Sequence, residues 1–341
     1  MKVVTFGEMM LRLKSPGYER FLQSPVFEAT FGGGEANVAV SLACLGITSS
    51  YVTAVPDNPI GQSCIGELRR YGVDTSNIIK RGKRLGIYYL ETGACQRSSV
   101  VIYDREHSSV SEAPPEEYDW KKIFEDATWF HISGITPAIS ANAANVAIAA
   151  VSFAKKNDVQ VSCDLNYRGK LWKYGKKAPE VMGEVMKYVD IAMGNEEDCQ
   201  KSLGIETKIS TDNAGFSEDA YREITEKVLS VYPNLKKIAI TLRQSTSADN
   251  NGWSAVMNNR KEYFTSIHYD INDIVDRVGS GDAFAAGLIY GFHKYGKDKE
   301  ALDFAVAASC LQHTIPGDLP LVSEAEVLGL LKSGGSGRVQ R

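Results

Sequence analysis

Trp129-Phe130-His131-Ile132, then the long segment Ser140 to Lys156, then Val159-Gln160-Val161-Ser162-Cys163-Asp164: this stretch decides the fold. Two runs of strand type bracket one of helical pattern. Strands joined through a helix lie parallel in one sheet, because the crossover returns the chain to the edge from which it left. The unit recurs along the chain. Candidate strands at 3–6, 50–54, 191–193 and 237–241 alternate with helical stretches at 35–45, 61–71, 178–188, 196–203 and 218–231. Two further helices, 281–295 and 299–313, close the pattern. The expectation is an α/β fold, a doubly wound and mostly parallel sheet with helices on both faces.

Two segments break the rhythm. Residues 10–31 and 86–113 contain apolar runs such as Ile87-Tyr88-Tyr89-Leu90 and Val100-Val101-Ile102-Tyr103, with no helical stretch inside them. They predict a small β-sheet inserted into the core domain of residues 1–333, placed to act as a lid. Residues 204–217 read as a polar surface loop, and 334–341, which is rich in Gly and Ser, as a flexible tail.

The bulk properties exclude several classes. Of 341 residues, 43% are hydrophobic and 23% charged, which is ordinary for a soluble globular enzyme. A net charge of -4, with scattered basic residues, gives no footprint for nucleic acid. The 6 cysteines are far apart with no C-x-x-C pair, which points to reduced thiols in the cytoplasm. Gly7-Glu8 comes too early for a signal peptide, and Pro137, Asn142 and Asn145 spoil the most apolar stretch as a membrane span.

The richest local signal is Asp276-Arg277-Val278-Gly279-Ser280-Gly281-Asp282-Ala283-Phe284. Glycines flanking one small residue allow a tight turn, and the helix that begins there offers unpaired amides and a positive dipole end to an anion. Asp282 would repel that anion unless it has a task. Taking the proton from a hydroxyl that attacks phosphate is such a task, and it describes a kinase.

Other constellations are weaker alone. Gly32-Gly33-Gly34 with Asn37 permits close approach of a ligand, or simply turns into a helix. Asn195 and Asp198, at a strand end, suit the water shell of Mg²⁺, or simply cap a helix. Asp164-Leu165-Asn166-Tyr167-Arg168 offers a guanidinium to a carboxylate or phosphate, or a solvated surface arginine. Tyr89, Tyr103 and Arg105 form a similar set on the lid. The histidines show no metal-ligand spacing, and neither a G-x-x-x-x-G-K-[ST] loop nor a G-x-S-x-G elbow occurs.

Taken together, these motifs resemble the ribokinase-type (PfkB) carbohydrate kinases over residues 1–331, and within them the kinases of 2-keto-3-deoxygluconate. Gly33-Gly34 with Asn37 resembles the N-terminal signature of that family, and 276–284 its C-terminal D-T-x-G-A-G-D-x-F. Pro56-Asp57-Asn58-Pro59, Leu171-Trp172 and Pro316-Gly317-Asp318 add to the likeness. The resemblance implies a ribokinase-like fold and ATP-dependent phosphorylation, with Mg²⁺, of the terminal 6-hydroxyl of a six-carbon keto-deoxy acid. It implies Asp282 as general base and the amides of Gly279, Ser280 and Gly281 as an anion hole. Gly34, Asn37, Tyr89, Tyr103, Arg105, Arg168, Asp282 and Asp318 would meet the sugar acid. Asn195, Thr241, Arg243, Gly279 and Gly281 would meet the nucleotide, and Asn195 and Asp198 would hold the metal through water. A homodimer joined through the lid, or a higher homo-oligomer, is implied as well.

The chain departs from the template at Ser280 (usually alanine), Arg277 (usually threonine), Asp198 (usually glutamate) and Arg243-Gln244 (usually a glycine-rich turn). Arg277 either reaches nucleotide phosphate or faces solvent. A neutral-sugar kinase of the fructokinase or ribokinase type, and a catalytically silent sugar- or nucleotide-binding protein, are the alternatives.

Overall fold

A computed structural model describes residues 1–206 and 217–334. The expected polar loop lies outside the described residues over 207–216, as does the expected tail beyond Gly334. Six strands of the large sheet run parallel, in the order Thr48–Val52, Lys2–Phe6, Trp129–Ser133, Gln160–Asp164, Ile191–Gly194 and Lys237–Ser245. From Lys2–Phe6 the chain adds its next strand on one side and all later ones on the other. The winding therefore reverses beside that strand, and ligands of open α/β sheets bind in the crevice so created.

Alternation along each strand feeds two cores. Val4, Phe6, Phe130, Ile132, Val161 and Cys163 pack with Val146, Ala150 and Val151 of the helix Ala141–Lys156. Their neighbours Val3 and Trp129, with Ile191, Met193 and Ala239, pack on the opposite face with Phe284, Leu288 and Phe304. Strands buried on both faces have no solvent side, so these runs are mostly apolar, and the polar members Thr5, His131 and Ser162 are buried with them.

Three strands of the large sheet were not anticipated. Asn251–Asn258 folds back antiparallel on Lys237–Ser245, and Tyr263–Thr265 and Tyr269–Ile271 both pair with it. The strand expected at 237–241 continues to Ser245, where the ladder with Asn251–Asn258 ends. Among the described residues no helix is long and apolar enough to cross a membrane.

The small sheet has four strands, in the order Glu28–Gly32, Met10–Lys14, Ile87–Glu91 and Val100–Asp104. The central two are parallel and the outer pairings antiparallel. The strands end at Asp104. Beyond them Val110 and Ala113 are buried in the main core, so the segment 86–113 divides between the two bodies. Met10, Tyr88 and Leu90 pack against Val278, which brings the small sheet onto the motif 276–284.

Helix Ser280–Tyr295 lies against Asp298–Gln312 at very short range. A Cβ on Gly291 would stand 2.6 Å from Ala301 Cα. Gly291→Val should therefore destabilise the fold by about 1–3 kcal/mol through overpacking, read as a lower urea midpoint with unchanged slope.

Candidate active site

Gly279 takes the left-handed conformation, with φ 79°, and caps the helix Ser280–Tyr295 without a side-chain hydrogen bond to the first turn. Any Cβ there would lie 2.1 Å from the carbonyl oxygen of Asp318. Turn geometry and close approach together demand glycine. The helix begins to pay its own way with Ala283 N–H on Gly279 O at 2.8 Å, which leaves the preceding amides to an anion. Asp282 stands in this first turn.

A second helix starts at the same place. In Gly34–Cys44, the Gly33 amide donates to Asn37 Oδ1 at 3.2 Å, so the other end of that amide, Nδ2, donates to Asp282 Oδ2 at 2.7 Å. Asn37 thus holds Asp282 with one Nδ2 hydrogen while itself lining the cleft. A Cβ on Gly34 would lie 3.5 Å from Asp282 Oδ1, so glycine keeps the space in front of that oxygen open. Under this helix Glu35 is fully buried and accepts from the Ser133 amide, the Ser133 hydroxyl and the Thr136 hydroxyl. It ties the helix to the strand Trp129–Ser133 at the point where the winding reverses.

Burial pushes the Asp282 carboxyl up to about 7; the Asn37 bond opposes the rise, and the charges of Asp318 and Glu35 add to it. A base poised at that value suits proton removal at neutral pH. The histidines are unsuited: burial holds His131 down to about 3 and His313 to about 4, and none lines the cleft.

That cleft, of about 740 Å³, is lined by Gly34, Asn37, Tyr88, Tyr103, Arg168, Asn195, Asp198, Thr241, Arg243, the loop 276–282 and Asp318. Tyr89 and Arg105 do not line it. Alternation turns Tyr88 inward instead, while Tyr89 meets Phe27 at a ring distance of 5.9 Å. Arg105 is buried against Glu8, its Nε donating to Glu8 Oε2 at 2.7 Å, and is spent on that pair. With two adjacent tyrosines, sequence offers no sign of which faces inward.

Asp318 is buried, accepting from Tyr88 at 2.6 Å and paired with Arg12. Arg12 also reaches Asp276 Oδ2 at 2.6 Å, and Asp276 accepts the amides of Val278 and Gly317. Sequence reasoning had passed over both Arg12 and Tyr88. The one available signal was a charged residue on the inward alternation of the strand Met10–Lys14.

Asn195 and Asp198 form a reciprocal cap. Asp198 N donates to Asn195 Oδ1 and Asn195 N to Asp198 Oδ2, both at 2.8 Å. The second Asp198 oxygen accepts Tyr167 N at 2.7 Å. Asp164 lies between this carboxylate and Asp282; burial and both charges push it well above its ordinary range. Among the described residues no group of three acidic, His or Cys side chains could hold a metal ion. The donor set fits a hydrated cation, which would relieve the crowded carboxylates.

Arg277 takes neither expected course. Its guanidinium bonds the carbonyls of Ser247 and Ala248 and the Asn251 side chain. Arg168 reaches the cleft and donates to the Tyr167 carbonyl at 2.9 Å, and among the described residues it has no ion pair.

The model of the family described as pfkB family carbohydrate kinase matches residues 1–321. A 2-dehydro-3-deoxygalactonokinase of Haloferax volcanii is 30% identical over 98% of each chain. A 2-dehydro-3-deoxygluconokinase of Thermoproteus tenax is 29% identical over 96% of this chain and 94% of its own. The crystal structure of a 2-dehydro-3-deoxygluconokinase from Thermotoga maritima superposes with a TM-score of 0.92 at 46% identity, covering 98% of this chain and 100% of that one.

Two measurements test Asp282. In the wild type, kcat/KM should climb with pH and level off above about 7, as the base ionises. Asp282→Asn should lower kcat by about 10²–10⁴-fold while calorimetry shows ATP still bound. Its folded-state value lies above that of the unfolded chain, so stability is lost as pH rises through about 7. The Asn variant escapes that cost. Its melting temperature should exceed the wild type most at pH 8, with the gap closing toward pH 4.

Proposed function

The chain belongs to the pfkB family of carbohydrate kinases, and from that premise we propose that it transfers the γ-phosphoryl group of ATP to the 6-hydroxyl of 2-keto-3-deoxygluconate. The observation that carries the acid choice is Arg168, a cleft arginine with no carboxylate within ion-pair range among the described residues. A neutral sugar has no need of it, whereas a sugar carboxylate accepts a guanidinium in bidentate fashion.

In this reading the hydroxyl enters over Gly34, and Asp282 takes its proton as the new O–P bond forms. Asn37 holds Asp282 in orientation, and the amides at 279–281 receive the phosphoryl charge. Tyr88 and Tyr103 border the sugar, and Asp318 steadies Tyr88 from beneath. Thr241, whose hydroxyl is anchored on Gly194 O at 3.3 Å, borders the nucleotide. Magnesium, held through water by Asn195 and Asp198, would supply neutralising charge at the phosphates.

We extend the proposal to the assembly and its setting. Leu22 (74% exposed), Val26 (54%) and Ile102 (50%) leave apolar surface on and beside the small sheet, and Val100–Asp104 is an edge strand that pairs, among the described residues, only with Ile87–Glu91. Such surface calls for a partner, and a second copy is the one we assign. All six cysteines are free thiols, which suits a reducing cytoplasm.

Coupled ADP-release assays should show turnover with 2-keto-3-deoxygluconate well above that with fructose or ribose; the reverse order would favour a neutral-sugar kinase. Arg168→Ala should raise KM for the acid at least tenfold and leave KM for ATP within threefold. Sedimentation should give twice the monomer mass, and a monomer would refute the assembly.

A further inference from the structure

Three of the four departures from the family template turn out to be one arrangement. Arg243 and Trp253 are cross-strand partners in the antiparallel ladder, and the guanidinium lies 5.0 Å from the indole centroid. Arg243 Nη2 donates to Ser280 Oγ at 3.0 Å. Ser280 Oγ donates in turn to Arg277 O at 3.1 Å, and Ser280 O accepts the Ser309 hydroxyl at 2.7 Å. An alanine at 280 would provide none of the hydroxyl bonds. Arg277 meanwhile pins the turn 247–251 between the two strands that carry Arg243 and Trp253.

Stacked on one side and tethered on another, the planar guanidinium is held before any ligand arrives. It has five N–H donors, and the Ser280 bond takes one. None of Arg168, Arg243 and Arg277 has a carboxylate within 4.0 Å among the described residues, although acids are plentiful in the same cleft. The Arg243 side chain is open to solvent at the cleft; the protein atoms crowded around it and then the charges of Arg277 and Arg168 bring its group down to about 10, so it stays charged at neutral pH in a place that an anion would relieve. Its tether fixes where that anion must be. Ser280 opens the helix whose first-turn amides form the anion hole, two residues before Asp282.

We infer that Arg243 contacts the phosphoryl group in flight and stabilises its charge together with the 279–281 amides, rather than gripping the resting nucleotide. In the step, the bond from the γ-phosphorus to the β–γ bridging oxygen breaks and that oxygen leaves on ADP. A bond from the sugar hydroxyl oxygen forms, and its proton passes to Asp282. Negative charge on the three equatorial oxygens of the group in transit is what a bidentate guanidinium meets best. The inference rests on the kinase reading. Ser280 acts through Arg243 and is a positioning residue.

The test uses the full-length enzyme and the variants Arg243→Met, Arg243→Lys and Ser280→Ala, each checked by melting temperature. Arg243→Met should lose about 10²-fold or more in kcat, with KM for ATP and sugar acid within threefold. Guanidinium ion added to that variant should restore part of the rate. Arg243→Lys should fall between, and Ser280→Ala should lose less than Arg243→Met. A rise in KM for ATP with kcat unchanged, or no change in either, overturns the inference. Should the methionine variant fail to fold, the lysine variant carries the same kcat-against-KM comparison. Calorimetry of ADP, magnesium and fluoroaluminate against a non-hydrolysable ATP analogue separates this from the substrate assignment. Loss of the former alone in Arg243→Met supports the role even in an enzyme that accepts a different sugar, whereas equal binding of both overturns it. Wild-type protein that phosphorylates no sugar acid would refute the substrate reading alone.

Discussion

A buried guanidinium stands between the two bodies of this protein. Arg12 leaves the small sheet, is almost wholly excluded from solvent, and takes one oxygen from Asp276 and one from Asp318. Asp276 receives the amides that shape the entry to the catalytic helix, and Asp318 closes over Gly279 with its carbonyl. Removing one member of such a set leaves an uncompensated buried charge and costs several kcal/mol. The turn at 276–279, the seat of Tyr88 and the attachment of the small sheet all share these two ion pairs.

The same neighbourhood holds charge against the interest of stability. Asp282, Asp164, Asp318 and Glu35 are all buried acids whose carboxyls are driven upward, chiefly by burial. Each would be easier to accommodate as an amide. Their concentration at the carboxyl ends of the parallel strands marks where the fold gives up stability for chemistry. Across the cleft, the charges of Arg277 and Arg168 both act against that of Arg243. Opposite charges face each other over the space that ATP, magnesium and a sugar acid would fill, and the ligands would complete the pairing that the protein leaves open.

Much of this was legible in the chain. The alternation of strand and helix is a direct consequence of period-two and 3.6-residue patterning, so the parallel sheet followed from residues such as Val159–Asp164 and Ser140–Lys156. The motif 276–284 also carries its meaning locally, since a turn that only glycine can make, then a helix start, then an acid is an arrangement of backbone and near neighbours. Other features hid for identifiable reasons. Tyr88 and Tyr89 are the same residue type in adjacent places, so parity alone separates them, and parity is set by pairing to Met10–Lys14. Arg105 looks like any cleft arginine until Glu8, 97 positions away, is found beside it. The hairpin partner Asn251–Asn258 is recognised by its ladder rather than by its own composition.

Sequence alone determined the fold class, the family and the glycine turn that opens a helix at 279–281, because each depends on contacts within a few residues or on periodicity. Tertiary structure decided which charges are free. Arg12, Arg105, Arg168, Arg243 and Arg277 are chemically equal on paper, and each guanidinium needs partners contributed by distant parts of the chain. Folding assigns Arg12 to Asp276 and Asp318, Arg105 to Glu8 and Arg277 to the 247–251 turn. Of the arginines that line the cleft, Arg168 and Arg243 are left without such a distant anchor of carbonyl or carboxylate among the described residues. The difference lies in desolvation: a buried cation must find its counter-charge during folding, while one left at a cleft can wait for a ligand to bring it.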